Sequence, residues 1–413
     1  MDELIKLILA SSTFIVFYSM VSKYLQDICN IPDPISTIFY GIAIAKQGLG
    51  LVNPHYVAFK NIISTTSRIV LCIQTMAVAL SLPKNYIFKN FRSIFSLVIF
   101  IGFLKCLFTF MILRIFSYLD NSTCWAIAAS LTPTDPILSS CIIKGKFAKS
   151  FVSEKLRLLL SAESGINDGF GILMLGISID ILKNTNLRVG ILRFVIFTLI
   201  NKALASALIG YGIGYLVQKI TKKCCTMEMI RTEILSIHTF TLCFLGLALM
   251  DVTKGSELIC IFFLGIALNS DEWYTLESSS NKLAEIIESI FCKVLFIFIG
   301  TTIDFSRFTL RMLFICTLII LVRRPLILLI GYKSVPSIEN RKEAAFLGWF
   351  GPVGVGALYY CLMYDRKVDT LTVDYGMCAI LLSTVIHGLS VPLYTVFNSL
   401  MHKVDPLNEI CDL

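Results

Sequence analysis

The chain is 413 residues long, 56% hydrophobic and only 15% charged, with a mean hydropathy of +0.78. A soluble domain carries roughly 25% charged residues, so a water-soluble globular protein is excluded and an all-α polytopic membrane protein is expected. The net charge of +8 does not imply nucleic acid, because Lys and Arg fall in short connections between apolar runs, where they act as topology signals.

The first apolar run, LIKLILASSTFIVFYSMVS, lacks a basic leader and a small-residue cleavage site, so it reads as a retained first span. A window of about 19 residues yields thirteen candidate spans: 4–25, 35–52, 62–82, 92–117, 122–143, 156–182, 189–218, 231–250, 256–270, 283–303, 309–332, 343–364 and 376–399. The fifth is broken by LTPTDPILSS and the twelfth by GWFGPVGVGALYY. With span 7 as a linker, spans 1–6 and 8–13 form two six-helix halves of opposite orientation. The broken helices are then the fifth of each half, and paired broken helices of an inverted repeat point to a transporter site. With the N-terminus outside, the inside connections hold nearly twice as many Lys and Arg as the outside ones, which predicts an external N-terminus and a cytoplasmic C-terminus. The 14 cysteines lie scattered in apolar runs, as Cys72, Cys106 and Cys316 do, and read as small core residues rather than a disulfide framework.

Span 5 carries Thr132, Pro133, Thr134, Asp135 and Pro136. Two prolines three residues apart remove two backbone donors and block the helix. In lipid the freed carbonyls need a partner or a cation. Beside Asp135 they make an oxygen-rich pocket suited to a hard monovalent cation; alternatively Asp135 caps the second half-helix. Span 6 contains LLLSAESGINDGFG. Helical spacing stacks Ser164 and Asp168 on one face and Glu163 and Asn167 on the adjacent one. Asp168 lies about half-way along the span, where an unpaired charge is expensive. The simplest arrangement turns Asp168 and Ser164 toward broken span 5, with Asn167 bonding its loosened backbone. Glu163 then needs a cation on another helix. Arg323 and Arg324, side by side in an apolar run, are the candidates, and the residues leave open which one turns inward.

Further along, Lys293 sits near the middle of span 10, where it pairs with Glu288, compensates Asp168 or snorkels. His387 in span 13 reads as a packed, hydrogen-bonded histidine, with a proton relay as the second option. Gln74 and Ser81 on span 3 are weak candidates for the ion pathway.

The segments TPTDPILSSCIIKGKFA, LLLSAESGINDGFG and GWFGPVGVGALYY resemble the fungal-type plasma-membrane sodium/proton antiporters, within the wider monovalent cation/proton antiporter superfamily. RIVLCIQTMAVALSLPKNYIFKNFRS and LSTVIHGLSVP are similar to the same family, and the likeness runs from about span 2 to span 13. The resemblance implies a homodimer in the plasma membrane. It divides the chain into scaffold and dimerisation helices over 1–90, core helices over 91–183, a linker helix and further scaffold over 184–303, core helices over 304–400, and a short cytoplasmic tail over 401–413. It implies an elevator-like movement of the core, with Asp168 as the ion- and proton-binding carboxylate. Thr134, Asp135 and Ser164 stand at or around that site, so Asp168 and Asp135 are the expected Na⁺ ligands. Asn167 in place of a second Asp resembles the electroneutral branch, and Glu163 pairs with Arg323 or Arg324. Two positions depart from the family pattern: Ser81 stands where an acid is expected, and Lys293 is not part of it.

The residues and the resemblance together predict an antiporter of monovalent cations and protons, exchanging cytoplasmic Na⁺, with Li⁺ or K⁺ as alternatives, for an external proton. No covalent chemistry and no cofactor is called for, and no nucleotide-binding motif is visible, so an enzyme is not expected. The competing readings are an uncoupled cation channel, a non-transporting membrane sensor, and an organic-anion transporter. Two buried acids facing the broken helix argue against the last of these.

Overall fold

The computed structural model describes residues 3–53, 56–135, 139, 152–231, 234–278, 283–364 and 371–404. Pro136 and most of the second half of span 5, the basic residues Lys144, Lys146 and Lys149, and the tail beyond 404 lie outside the described residues. A helix occupies each of the thirteen predicted windows. In chain order they are α1 (Glu3–Asp27), α2 (Asp33–Ile44), α3 (Tyr56–Ser81), α4 (Phe91–Phe116), α5 (Asn121–Leu131), α6 (Glu154–Leu182) and α7 (Leu187–Thr226). There follow α8 (Ile234–Thr253), α9 (Glu257–Leu268), α10 (Leu283–Thr302) and α11 (Leu310–Ser334). The twelfth window holds two helices, α12 (Arg341–Trp349) and α13 (Val355–Tyr364), and the last holds α14 (Leu371–Val404). Among the described residues, eight helices are long and apolar enough to cross a membrane: α1, α3, α4, α6, α7, α8, α11 and α14.

Local chemistry sets the ends of these helices. Asp120 accepts from the Ser122 and Thr123 amides at the start of α5, Ser153 from the Leu156 amide at the start of α6, and Thr309 from the Met312 amide at the start of α11. Pro133 has no amide hydrogen and restricts Thr132, so α5 stops at Leu131. α12 likewise stops at Trp349, shortly before Pro352. The second span is shorter than its window: α2 ends at Ile44, and the chain turns back through Gly50 at φ +67 so that Ala45 bridges to Val52. The seventh is longer, because Lys219, Lys222 and Lys223 are good helix formers and carry α7 on to Thr226.

Two helix pairs pack backbone to backbone. A Cβ on Gly41 of α2 would lie 2.3 Å from the Ile297 carbonyl oxygen of α10, and one on Gly210 of α7 would lie 2.0 Å from the Cys260 carbonyl oxygen of α9. Such contacts bring helices close where apolar burial gives no driving force, since the lipid is as apolar as the side chains. Gly212, one turn-face away, has open space around it. Gly210→Ala is therefore expected to lower the thermal unfolding midpoint of the detergent-purified protein, at a cost of about 1–3 kcal/mol of overpacking, while Gly212→Ala leaves it unchanged or slightly raised. Equal midpoints would contradict the α7–α9 contact.

Candidate functional site

The two broken segments cross. After α5 the chain is non-helical at Thr134 and Asp135, and the Asp135 amide donates to the Pro352 carbonyl at 2.8 Å, between α12 and α13. The approach needs glycine: a Cβ on Gly354 would lie 2.4 Å from the Asp135 side chain, and one on Gly356 would lie 3.0 Å from Asp168 Oδ1. The α13 segment thus forms one wall against both acids.

The middle of α6 forms the other wall. Asn167 holds Thr134 from two sides: its Oδ1 accepts from the Thr134 amide at 3.3 Å and its Nδ2 donates to Thr134 Oγ1 at 2.8 Å. The Thr134 and Ser164 hydroxyls share a hydrogen bond of 3.1 Å. A second carboxylate in place of Asn167 would lack the donor for Thr134 Oγ1. Asp168 is 1% exposed and Asp135 3% exposed. Asp168 Oδ2 has no hydrogen-bond partner among the described residues, while its backbone carbonyl accepts from the Tyr360 hydroxyl of α13. Asp168, Ser164, Thr134, Asn167 and Asp135 are therefore brought together where the breaks cross. Among the described residues no group of three or more His, Cys, Asp or Glu side chains forms a metal cluster. The oxygens here suit a weakly held monovalent ion rather than a resident transition metal.

Glu163 faces away from this cluster. Its carboxylate receives Arg324 through two parallel bonds, Nη1 to Oε1 at 2.8 Å and Nη2 to Oε2 at 2.7 Å, and Lys105 Nζ of α4 at 3.1 Å. Arg324 is the pairing arginine. Arg323, grouped with it as an ion-pair candidate, instead donates through Nη1 to the Leu131 carbonyl at 2.6 Å, the last residue of α5. The reason is geometric: a π-helical turn over Ile319–Arg323 widens α11 just before the pair, and both arginines end 2% exposed while reaching different helices. Arg324 Nε meanwhile donates to the Leu347 carbonyl in the last turn of α12 at 2.8 Å. The C-terminal ends of both broken half-helices, where carbonyls lack helical partners, are thus capped by consecutive residues of α11.

The remaining candidates lie apart from the crossing. Lys293 is held by Asp33 Oδ2 of α2 at 2.8 Å and by the Ser289 hydroxyl, not by Asp168. Asp33 also accepts from the Tyr18 hydroxyl at 2.8 Å, so this cluster ties α1, α2 and α10 together. His387 Nδ1 lies 3.1 Å from the Ser383 hydroxyl and from the Ser383 carbonyl, and the ring packs against Trp349. Gln74 donates to Cys292 Sγ at 3.3 Å, and Ser81 bonds back to its own helix at the Val78 carbonyl.

Sequence reasoning passed over Lys105 and the trio of half-buried Arg68 with buried Glu257 and Tyr359. Arg68 Nε donates to Glu257 at 2.8 Å, and the Tyr359 hydroxyl donates to the same Glu257 oxygen at 3.0 Å. Lys105 and Arg68 carry the signal that singled out Lys293, a charge inside an apolar window.

The sodium/hydrogen exchanger, transmembrane, family model matches residues 10–396. The chain belongs to this family, whose members are transporters rather than enzymes. It is 30% identical over 382 residues to a Saccharomyces cerevisiae Na⁺/H⁺ antiporter, covering 87% of this chain and 38% of that protein. It is 27% identical over 382 residues to Na⁺/H⁺ antiporter 2 of Zygosaccharomyces rouxii, covering 86% and 45%. It is 25% identical over 432 residues to a Schizosaccharomyces pombe Na⁺/H⁺ antiporter, covering 97% and 92%. The chain thus spans less than half the length of the first two of these relatives. Its fold matches the sodium proton antiporter MjNhaP1 of Methanocaldococcus jannaschii with a TM-score of 0.73 at 18% identity, over 95% of this chain and 98% of that one. The chain is an integral membrane protein, all-helical over the described residues, with the sodium/proton antiporter fold.

The arginine caps differ in what they leave behind when removed. Breaking a buried ion pair costs about 3–5 kcal/mol, while losing one hydrogen bond to a charged donor costs about 1.5–3 kcal/mol. Arg324→Met is accordingly expected to lower the unfolding midpoint of the purified protein well below that of Arg323→Met. Arg324→Lys restores little, since an ammonium cannot bond both Glu163 oxygens in parallel and the Leu347 carbonyl as well. A denaturation series ranking Arg323→Met as the worse variant would contradict this division of roles.

Proposed function

We propose that this exchanger is a secondary antiporter that moves Na⁺ out of the cytoplasm against H⁺, using Asp168 as the one carboxylate that binds either ion. The observation that carries the reading is the Asp168 side chain: buried, with Oδ2 unpartnered among the described residues, and set against backbone freed by two crossed helix breaks. A carboxylate so placed needs neutralising, and either a proton or a hard monovalent cation does that. The two cannot bind together, and that exclusivity couples the fluxes. Asp135, Thr134 and Ser164 supply further oxygens for the cation, and Asn167 holds the unwound segment in register. Each tenfold proton gradient then supplies about 1.4 kcal/mol for exchange. The names of the fungal relatives, all Na⁺/H⁺ antiporters, support the same reading.

The charge balance favours one-for-one exchange. Arg324 and Lys105 are committed to Glu163, and Lys293 to Asp33, so among the described residues no cationic side chain pairs with Asp168. The proton or Na⁺ then changes the charge of one carboxylate. We further read the protein as a plasma-membrane homodimer with its N-terminus outside, in which the core of α4–α6 and α11–α14 moves as an elevator against α1–α3 and α7–α10. The apolar side chains exposed along α1 and α7, such as Phe17, Met20, Leu204 and Leu208, suit lipid and a second copy.

Liposomes loaded with a pH-sensitive dye test the reading directly. Adding Na⁺ to wild-type vesicles is expected to move protons the opposite way, with Li⁺ and K⁺ compared in parallel, and Asp168→Asn is expected to abolish the response. Clamping the voltage with valinomycin and K⁺ leaves a one-for-one exchange rate unchanged. Cation flux without opposite proton movement would make the protein a channel, and a proton response to none of the three cations would refute antiport.

A further inference from the structure

We infer that Tyr359, Glu257 and Arg68 form a link between the ion-site helix and the scaffold that shuts the site from one face of the membrane; the inference rests on the antiport reading above. Three helices converge on one carboxylate. Glu257, 4% exposed at the start of α9, accepts from Arg68 Nε of α3 at 2.8 Å and from the Tyr359 hydroxyl of α13 at 3.0 Å. Arg68 Nη2 extends the chain to Asp251 at 2.7 Å. Arg68, Glu257 and Asp251 lie in the segments assigned to the scaffold, whereas α13 carries Gly356 against Asp168. Tyr359 is 3% exposed, and its ring centroid lies 4.8 Å from that of Tyr360, whose hydroxyl bonds the Asp168 carbonyl. The wall of the ion site is thereby tied to the scaffold through two adjacent tyrosines.

The position of the link gives it a function. A cavity of about 870 Å³ opens beside it, lined among others by Lys60, Lys183, Glu257, Tyr359 and Ile172. Of its lysines, Lys60, Lys183 and Lys254 belong to connections that lie outside when the N-terminus is outside, and Lys202 lies within α7. Ile172 is buried and stands one helical turn beyond Asp168 on α6, about 6 Å along the helix. The cavity therefore ends one turn short of the ion-binding carboxylate, and Tyr359 on Glu257 stands at that floor. Any movement of α13 along α9 that opened the floor would separate a buried carboxylate from a hydroxyl donor. A hydrogen bond to an ionised acceptor is stronger than a neutral one, and leaving its partner unsatisfied is unfavourable. The link thus favours the conformer in which the cavity is cut off from Asp168. Glu257 and Arg68 act through Tyr359 as positioning residues, not as ligands of the ion.

Proteoliposomes of single orientation, with Na⁺ on one face at a time, test this. Tyr359→Phe removes one hydroxyl and leaves every group at the crossing in place. It is expected to lower the apparent KM for Na⁺ from the cavity face by up to about tenfold, because the scarce open conformer becomes more populated, while KM from the opposite face changes less than twofold. Glu257→Gln keeps an acceptor for the Tyr359 hydroxyl and loses the Arg68 charge pair. It is expected to shift the same ratio in the same direction by a smaller factor, and either variant alone decides the matter should the other fail to fold. An equal KM change on both faces, or none, overturns the link. Absence of Na⁺-driven proton flux in the wild type would instead sink the antiport reading.

Discussion

Two guanidinium groups withdrawn from water cost several kcal/mol each unless their hydrogen bonds are met, and α11 carries them on consecutive residues, each 2% exposed. The crossing of the broken helices depends on how that cost is offset. Arg323 ends on the last carbonyl of α5, and Arg324 ends on α12 and on both oxygens of Glu163. A helix break in lipid leaves carbonyls that water cannot reach. Here the unmet donors of one helix meet the unmet acceptors of two others. Remove the breaks and the arginines lose acceptors; remove the arginines and the breaks lose donors. Lys105 adds a second positive charge to Glu163, so the cluster keeps a net positive charge on the side of α6 that faces away from Asp168.

The division of labour along α6 follows from this arrangement. Glu163 and Asp168 lie five residues apart, far enough round the helix that one faces α11 and the other faces the crossing. Arg324 and Lys105 both go to the first acid. The second is left with oxygens around it: Thr134 and Ser164 hydroxyls, and Asp135 across the break. A helix carrying one acid would have to choose between anchoring the arginine and binding an ion. Two acids on adjacent faces remove that choice.

Much of this was legible from residue types and spacing. Pro133 and the Gly-Pro-Val-Gly run announced both breaks, because proline and glycine act on the backbone whatever surrounds them. The i, i+4 stacking of Ser164 with Asp168 groups two residues that meet at the crossing, whereas Asn167, stacked with Glu163 by spacing, bonds Thr134 at the crossing while Glu163 turns to Arg324 and Lys105. What stayed hidden was everything decided by the third dimension. Nothing local distinguishes Arg323 from Arg324; a π-turn upstream sets their directions. Lys293 finds Asp33, some 260 positions earlier, and no periodicity encodes that pairing. Lys105 and Glu257 stood in plain view as charges inside apolar windows. Their meaning appears only once α4 and α9 are packed.

Asn167 carries the last step. In the crossing it must accept from the Thr134 amide and donate to the Thr134 hydroxyl. Only an amide side chain does both at this length. An aspartate there could accept but not donate while ionised, and it would bring a third carboxylate beside Asp135 and Asp168 in a site already poor in cations. The residue that holds the unwound segment in place is therefore the one that keeps α6 to a single acid facing the crossing. Under the antiport reading, structural support and the number of carboxylates at the crossing are set by the same side chain, so an acid at 167 would come only with loss of the donor that holds Thr134 in place.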